Sequence, residues 1–196
     1  IYSTEIYTIN WTNLKDGNYY YNVTIKDLGN NKNSTKTRKI KLDTTLPAIN
    51  LTHPKNKSYS INISTINYTA SDLNNLSSCW YSINNGADNI TINCYENITN
   101  QQSRQGSNTW TIYINDTVGN QNQDSVTFLK DTINPLINYG DKTAENHANK
   151  SQDFIYVNIT INESFISNIT YELYNNTNGA TLVNKTIYST EIYTIN

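Results

Sequence analysis

The sequence predicts an all-β protein made of β-sandwiches in tandem, about seven strands to each, and three observations carry that expectation. The first is composition. Among 196 residues there are 35 Asn, 26 Thr, 25 Ile, 16 Ser and 16 Tyr, a mixture of strand formers and turn formers in which good helix formers are scarce. The second is a series of short apolar-polar alternations separated by Asn, Asp and Gly clusters. The third is internal repetition. Charged residues make up 15% and the net charge is -2, which leaves no electrostatic footprint for nucleic acid or an anionic membrane. No apolar run approaches the roughly 18 residues of a membrane span, so no membrane segment is expected in this region. The chain has no Met, as expected of a processed product or an interior segment.

The repeats set the organisation. The decamer IYSTEIYTIN that opens the chain at residue 1 recurs unchanged from residue 187, an offset of 186 positions. A tandem array of 186-residue units accounts for it, with identical repeats of the same array as partners. A weaker repeat lies inside the unit. Asp43-Thr44-Thr45-Leu46-Pro47-Ala48-Ile49-Asn50 matches Asp131-Thr132-Ile133-Asn134-Pro135-Leu136-Ile137-Asn138 in the form D-T-x-x-P-x-I-N. Upstream, Asp27-Leu28-Gly29-Asn30 matches Asp116-Thr117-Val118-Gly119-Asn120 once a one-residue gap is allowed. Three segments follow: 1–46 as the C-terminal part of one module, 47–134 as a complete second module, and 135–196 as the N-terminal part of the next copy of the first. Neither partial module closes its own core. The first is expected to expose an inner apolar face that includes Trp11, Leu14, Tyr21 and Val23.

Element by element, Tyr21, Val23 and Ile25 alternate on the strand before Asp27, and Ile40 and Leu42 on the strand after it. Ile61, Ile63, Ile66, Tyr68 and Ala70 read as one strand with an irregularity near Ser64. Trp110, Ile112 and Ile114 face one way before Asp116, and Val126 and Phe128 continue the pattern. A Pro at each module start suits an edge strand, which can spare an N–H. Modules of about 90 to 100 residues with roughly seven such strands suggest sandwiches.

These residues also carry a resemblance. Trp11-x-x-Leu14-x-Asp16-Gly17-x-Tyr19-x-Tyr21-x-Val23, followed by the Asp27 loop and D-T-x-x-P, resembles the immunoglobulin-like repeats of large archaeal and bacterial surface proteins. In the second module Gln105-Gly106 stands for Asp-Gly and Asn108 for the first Tyr. The resemblance implies tandem immunoglobulin-like sandwiches in an extracellular stalk, adhesin or filament, with no catalytic residues to carry over. Together with the high Asn, Ile, Lys and Tyr content, which A+T-rich codons favour, it points to an archaeal source.

Cys79 and Cys94 flank two apolar-alternating stretches with Asn84-Asn85-Gly86-Ala87-Asp88 as turn chemistry between them. Symmetric pairing of that hairpin sets Ile83 opposite Ile90 and Cys79 opposite Cys94, in disulfide register. Closing such a loop stabilises by about 3 kcal/mol through chain entropy and implies an oxidising, extracellular setting. The alternative is two reduced core thiols. A zinc site with His53 and His147 lacks closely spaced ligands.

The pattern N-x-[ST] occurs at Asn10, Asn22, Asn33, Asn50, Asn56, Asn62, Asn67, Asn75, Asn89, Asn97, Asn115, Asn149, Asn158, Asn162, Asn168, Asn175 and Asn184. Random order of this composition gives about 7.5 such sites, so the 17 present are more than a twofold excess. Strand alternation around an inward aliphatic residue produces part of the excess. The same geometry leaves the Asn amides outward, and a charge-poor surface needs another source of solubility, so N-linked glycans are expected at several sites, foremost Asn62, Asn89 and Asn158.

Enzymatic motifs are missing. There is no G-x-S-x-G, P-loop, H-E-x-x-H or dinucleotide fingerprint. Acid pairs such as Asp16 with Asp27, or Asp116 with Asp131, are not placed across a cleft by anything in the sequence. The Asp27 and Asp116 loops each offer one carboxylate where calcium wants several, so they read as turns with Gly at positive φ. Tyr-rich strands read as cross-strand packing in preference to a sugar platform. Lys, Asn and an acid can form isopeptide bonds, as in some bacterial pilus proteins, but no motif identifies such a triad. The expectation is a non-enzymatic structural repeat of a glycosylated extracellular filament or stalk, without cofactor or metal. The alternative is an adhesin or carbohydrate-binding repeat.

Overall fold

The computed structural model describes residues 7–175 and 182–189. Most of both decamer copies lies outside these residues. Every regular element among the described residues is a strand. The first four are β1 (Gly17–Tyr21), β2 (Thr24–Lys26), β3 (Lys32–Ser34) and β4 (Arg38–Leu42). β1 pairs antiparallel with β4 and β2 with β3, so residues 17–42 form one long hairpin interrupted in the middle. The register changes by one residue across the interruption, from Tyr21 opposite Arg38 to Thr24 opposite Ser34, which leaves one extra residue on the returning side. Local side-chain bonds hold the break: the Val23 N–H donates to the Thr35 hydroxyl at 2.9 Å, and the Asn22 amide to the Thr37 hydroxyl at 3.2 Å.

Seven strands follow: β5 (Ala48–His53), β6 (Ser58–Tyr59), β7 (Asn67–Ser71), β8 (Leu76–Ser82), β9 (Ile90–Ile92), β10 (Gly106–Asp116) and β11 (Gln121–Lys130). They form a five-stranded sheet in the order β6-β11-β10-β8-β9 and a two-stranded sheet of β5 and β7, extended by an antiparallel bridge between Ile66 and Ile98. β6 runs parallel to β11. Leu51, Ile66, Tyr68 and Ile98 from one sheet pack on Cys79, Tyr81, Trp110, Ile112, Ile114 and Phe128 from the other, which is an all-β sandwich of the immunoglobulin-like kind. The ring pair Trp110–Phe128 is edge-to-face at 5.0 Å between centroids, a geometry that adds to area burial. Every buried residue among those described falls between Pro47 and Phe128. Pro47 opens edge strand β5 and its carbonyl accepts the Asn122 amide at 2.9 Å.

Two expectations need correcting here. The stretch from Ile61 to Ala70 is not one strand. Ile61 is exposed, while Ile63 is buried and its carbonyl accepts the Ser103 N–H at 3.2 Å, as the Ser103 hydroxyl accepts the Ile63 N–H at 2.9 Å; regular pairing starts at Asn67. The β8–β9 register is also shifted. Tyr81 faces Ile90 and Cys79 faces Ile92, because the Ser82 hydroxyl caps the turn by accepting the Gly86 N–H at 2.8 Å and Asn84 ties to Asp88, which draws Ile83 out of the ladder.

The last four strands are β12 (Leu136–Tyr139), β13 (Ile159–Asn162), β14 (Asn168–Tyr174) and β15 (Leu182–Ser189). β12 pairs with β13 and β14 with β15, all antiparallel. An open groove of about 870 Å³ lies between the two pairs, lined among others by Ile137, Tyr139, Val157, Ile169, Tyr171 and Leu173. No strand ladder among the described residues joins 11–46 to 150–189.

Candidate functional site

The hairpin of residues 16–45 and the hairpin of residues 105–133 use the same bonds at the same places. At the open end Asp16 accepts the Thr44 N–H at 3.0 Å and hydroxyl at 2.9 Å, and Gln105 Oε1 accepts the Thr132 N–H at 3.3 Å and hydroxyl at 3.1 Å. The Tyr19 hydroxyl donates to the Lys15 carbonyl at 2.8 Å, and the Asn108 amide to the Arg104 carbonyl at 2.7 Å. At the closed end the Asp27 N–H donates to the Asn31 carbonyl and the Asp116 N–H to the Asn120 carbonyl, both at 3.0 Å. The Asn31 amide reaches Asp27 Oδ2 and the Asn120 amide Asp116 Oδ2, both at 2.8 Å. Asn30, at φ 68°, therefore stands where Gly119 stands at φ 101°. The sequence match that set Gly29 against Gly119 across a gap is off by one: the two loops are equally long, and the extra residue lies between Ser34 and Arg38. Asn tolerates the left-handed region, which is why the glycine could move without cost to the turn.

What differs is the company each hairpin keeps. Trp110, Ile112, Ile114 and Phe128 are all 0% exposed, whereas Tyr21, Val23, Ile25 and Ile40 at the same places are 37%, 59%, 71% and 46% exposed. Trp11 and Leu14 are exposed as well. Together they make a large unpartnered apolar face, the kind that marks an interaction surface.

The linker between the first hairpin and the sandwich is clamped by asparagines. The Asn120 amide donates to the Asp43 and Thr45 carbonyls, each at 3.2 Å, and the Asn74 amide bonds the Asp43 carboxylate. Asp43, Asp72 and Asp116 bring carboxylate oxygens within 4.8 Å of one another. The loop motif offered one carboxylate; the fold adds two from distant positions, which no local spacing could have signalled. These are oxygen donors of the kind that hard cations take. Asp116 is nevertheless committed to its own loop, accepting the Val118, Gly119 and Asn120 N–H groups at 2.7 to 2.9 Å. Burial pushes the Asp116 carboxyl up, but the Asn120 amide and these N–H groups outweigh it and hold it below the ordinary range. Asp16 is lowered by the Thr45 hydroxyl and by Thr44, and Asp27 by the Asn31 amide and N–H. Glu172 is lowered by its ion pair with Lys185 at 2.8 Å.

Cys79 and Cys94 are joined in a disulfide with their Cα atoms 5.1 Å apart. Cys94 lies beyond the end of β9, so the bond closes the turn after the hairpin and not a ladder pair. The Tyr68 hydroxyl donates to the Cys94 carbonyl at 3.1 Å and secures the same turn from the opposite sheet. A disulfide is compatible with an oxidising compartment. With both cysteines consumed, no thiolate is left to join either His; His53 packs edge-to-face on Tyr59. Trp80 and Tyr113 stack at 5.5 Å with an interplanar angle of 6° on the outer face of the five-stranded sheet.

Of the sequon asparagines, Asn10, Asn22, Asn33, Asn50, Asn56, Asn62, Asn75, Asn89, Asn97, Asn149, Asn162, Asn168, Asn175 and Asn184 are exposed. Asn67, Asn115 and Asn158 are half-buried. Asn158, expected on an outward position, donates its amide to the Asp141 carbonyl at 3.3 Å, because the residue lies against Gly140 where the strand turns back.

No protein family and no curated protein matches the chain. Among solved structures it is similar to the fibronectin(III)-like modules of Clostridium thermocellum CbhA, with 16% identity and a TM-score of 0.38 over 62% of this chain and 67% of that chain.

Proposed function

We propose that the chain is a structural repeat unit of a long, glycosylated extracellular filament or surface stalk, mechanical in role and not catalytic. The observation that carries the reading is the combination of an unchanged decamer 186 positions apart with a complete sandwich flanked by hairpins and half-sheets in which no described residue is fully buried. Length then comes from copy number. The segments 1–46 and 135–196 belong on this reading to two copies of one module on either side of 47–134. The disulfide, the clamped linker and glycans on the exposed sequons would resist stretch and proteolysis. Near-identity of repeats suits a structural role, since binding modules gain little from strict copies. Electron microscopy of native material, paired with mass spectrometry of its glycopeptides, tests this. The expected result is an ordered filament with one axial repeat and carbohydrate on several of the exposed asparagines. A flexible monomer with every sequon bare would overturn it.

The second reading is an adhesin or carbohydrate-binding repeat. The stacked Trp80–Tyr113 pair favours it, because a flat aromatic surface accepts the apolar face of a sugar ring. Loss of glycan-array binding in Trp80→Ala would support that role; no binding by the unsubstituted chain would remove it.

A further inference from the structure

The β1–β4 hairpin is built like a part removed from a finished sandwich. Its sister, β10–β11, is docked: β8 lies along the free edge of β10, with Tyr81 opposite Ile112 and Cys79 opposite Ile114, and the inner side chains fill the space between two sheets. Residues 135–189 hold the complementary remainder. β12–β13 correspond to β5–β7, each starting directly after the proline of D-T-x-x-P, and β14–β15 correspond to β8–β9. The groove between those two pairs is open and lined by apolar Ile137, Val157, Ile169 and Leu173 together with polar Asn138 and Glu172, and among the described residues β14 is paired with β15 alone.

Asparagine chemistry makes the correspondence specific. In the docked hairpin the Asn122 side chain is fixed by the Gln123 N–H, which donates to its Oδ1 at 2.9 Å, and its amide is thereby aimed at the Pro47 carbonyl. Asn33 occupies the same place and is fixed in the same way, with the Ser34 N–H donating to its Oδ1 at 2.9 Å. The Asn33 amide has no partner among the described residues. Asn31 repeats Asn120, which grips the carbonyls of Asp43 and Thr45. By the D-T-x-x-P repeat, the carbonyls equivalent to those of Asp43, Thr45 and Pro47 belong to Asp131, Ile133 and Pro135. Charge agrees. Residues 17–42 carry six Lys and Arg against one Asp, and residues 135–189 carry five Asp and Glu against three Lys.

We propose that residues 17–42 complete the half-sandwich of residues 135–189 of a second copy of this chain. The β1–β2 edge pairs with the free edge of β14, Tyr21, Val23 and Ile25 enter the groove, and the Asn31 and Asn33 amides bond the carbonyls of Asp131, Ile133 and Pro135 in that copy. The inference rests on the repeat-unit reading and gives it a junction. It also separates Asn33 from the other exposed sequons: a glycan on its amide nitrogen would block the Pro135 carbonyl, so Asn33 is bare in assembled material.

The test uses the whole chain. Analytical ultracentrifugation of the purified protein should show head-to-tail oligomers that grow with concentration and weaken as salt rises, since opposite charges contribute. The double variant Asn31→Asp, Asn33→Asp replaces both donors by acceptors facing carbonyls and should weaken association at least about tenfold, as loss of buried hydrogen bonds to main chain does. Melting of the 47–134 sandwich should stay unchanged in that variant, and Asn33→Asp alone, which leaves the Asn31–Asp27 turn bond in place, should weaken association in the same direction. Hydrogen exchange at the β1 and β2 amides should slow with concentration in the unsubstituted chain and not in the variant. A chain that stays monomeric, association indifferent to the double variant, or a glycan on Asn33 in assembled native material each overturns the junction. Native filaments alongside any of these would leave the repeat-unit reading standing, whereas a glycan-binding monomer in native material would remove that reading itself.

Discussion

Two hairpins of one chain, β1–β4 and β10–β11, share their turns, their end bonds and their sequence pattern, and yet one is the centre of a hydrophobic core while the other stands in solvent. The difference teaches that the hairpin's shape is set locally, by Asx and Thr bonds at both ends, and that burial is an independent matter of which strands lie beside it. Local hydrogen bonds fix conformation for about 0.5–1.5 kcal/mol each, while the stability of a domain comes from apolar area removed from water. A hairpin alone is marginal for that reason.

The comparison can be broken most forcefully at its core positions. Trp110→Ala is expected to lower the stability of the sandwich by about 3–5 kcal/mol, and Tyr21→Ala, at the same place in the other hairpin, by less than about 0.5 kcal/mol in dilute monomer. Thermal denaturation of both variants checks this, and equal losses would mean that the two hairpins share one core. Next in size is the disulfide, which has no counterpart in residues 135–189. Cys79→Ala with Cys94→Ala should cost about 3 kcal/mol in urea unfolding followed by Trp fluorescence. Hydrogen exchange in residues 17–42 should be untouched by that change.

The turns give a smaller contrast. Gly119→Ala places a side chain at φ 101° and should cost about 1–2 kcal/mol, whereas Asn30→Gly should be nearly neutral, since Gly and Asn both accept positive φ. Acid gives the smallest and most graded one. The Asp116 carboxyl is held below its unfolded value, so its contribution is complete above the ordinary aspartate range and is lost as pH falls through the lowered folded value. The melting temperature of the sandwich should therefore fall on acidification, and Asp116→Asn should flatten that fall. A variant whose melting keeps the full acid dependence would show that other carboxylates carry it.

Much of the fold is legible in the sequence where alternation is strict. Trp110, Ile112 and Ile114 lie on a central strand buried on one face, and period two is the direct signature of that. The stretch from Ile61 to Ala70 was misread because Ile63 is buried by an irregular pairing with Ser103, which leaves no periodic trace. The β8–β9 register eluded symmetric counting because a single hydroxyl, Ser82, decides how wide the turn is, and a two-residue shift keeps every side chain on its face. Asn33 was visible only as a sequon. Its likeness to Asn122 depends on the two loops being equally long, whereas one-dimensional matching opens a gap at Gly29; the extra residue of the first hairpin lies further on, between Ser34 and Arg38. The Asp43, Asp72 and Asp116 grouping is tertiary and has no spacing to read.

That extra residue has a consequence for how such chains are produced. A long hairpin with an open edge is a template for any identical neighbour, and many copies made side by side would be prone to clump. The extra residue sits on the β3–β4 edge, which it splits into a three-residue and a five-residue stretch set one step out of phase. Two identical hairpins meeting edge to edge can keep their bonds in step along one short ladder only, so like-with-like pairing is denied length. The irregularity that hides the repeat from sequence matching thus acts as a safeguard against misassembly.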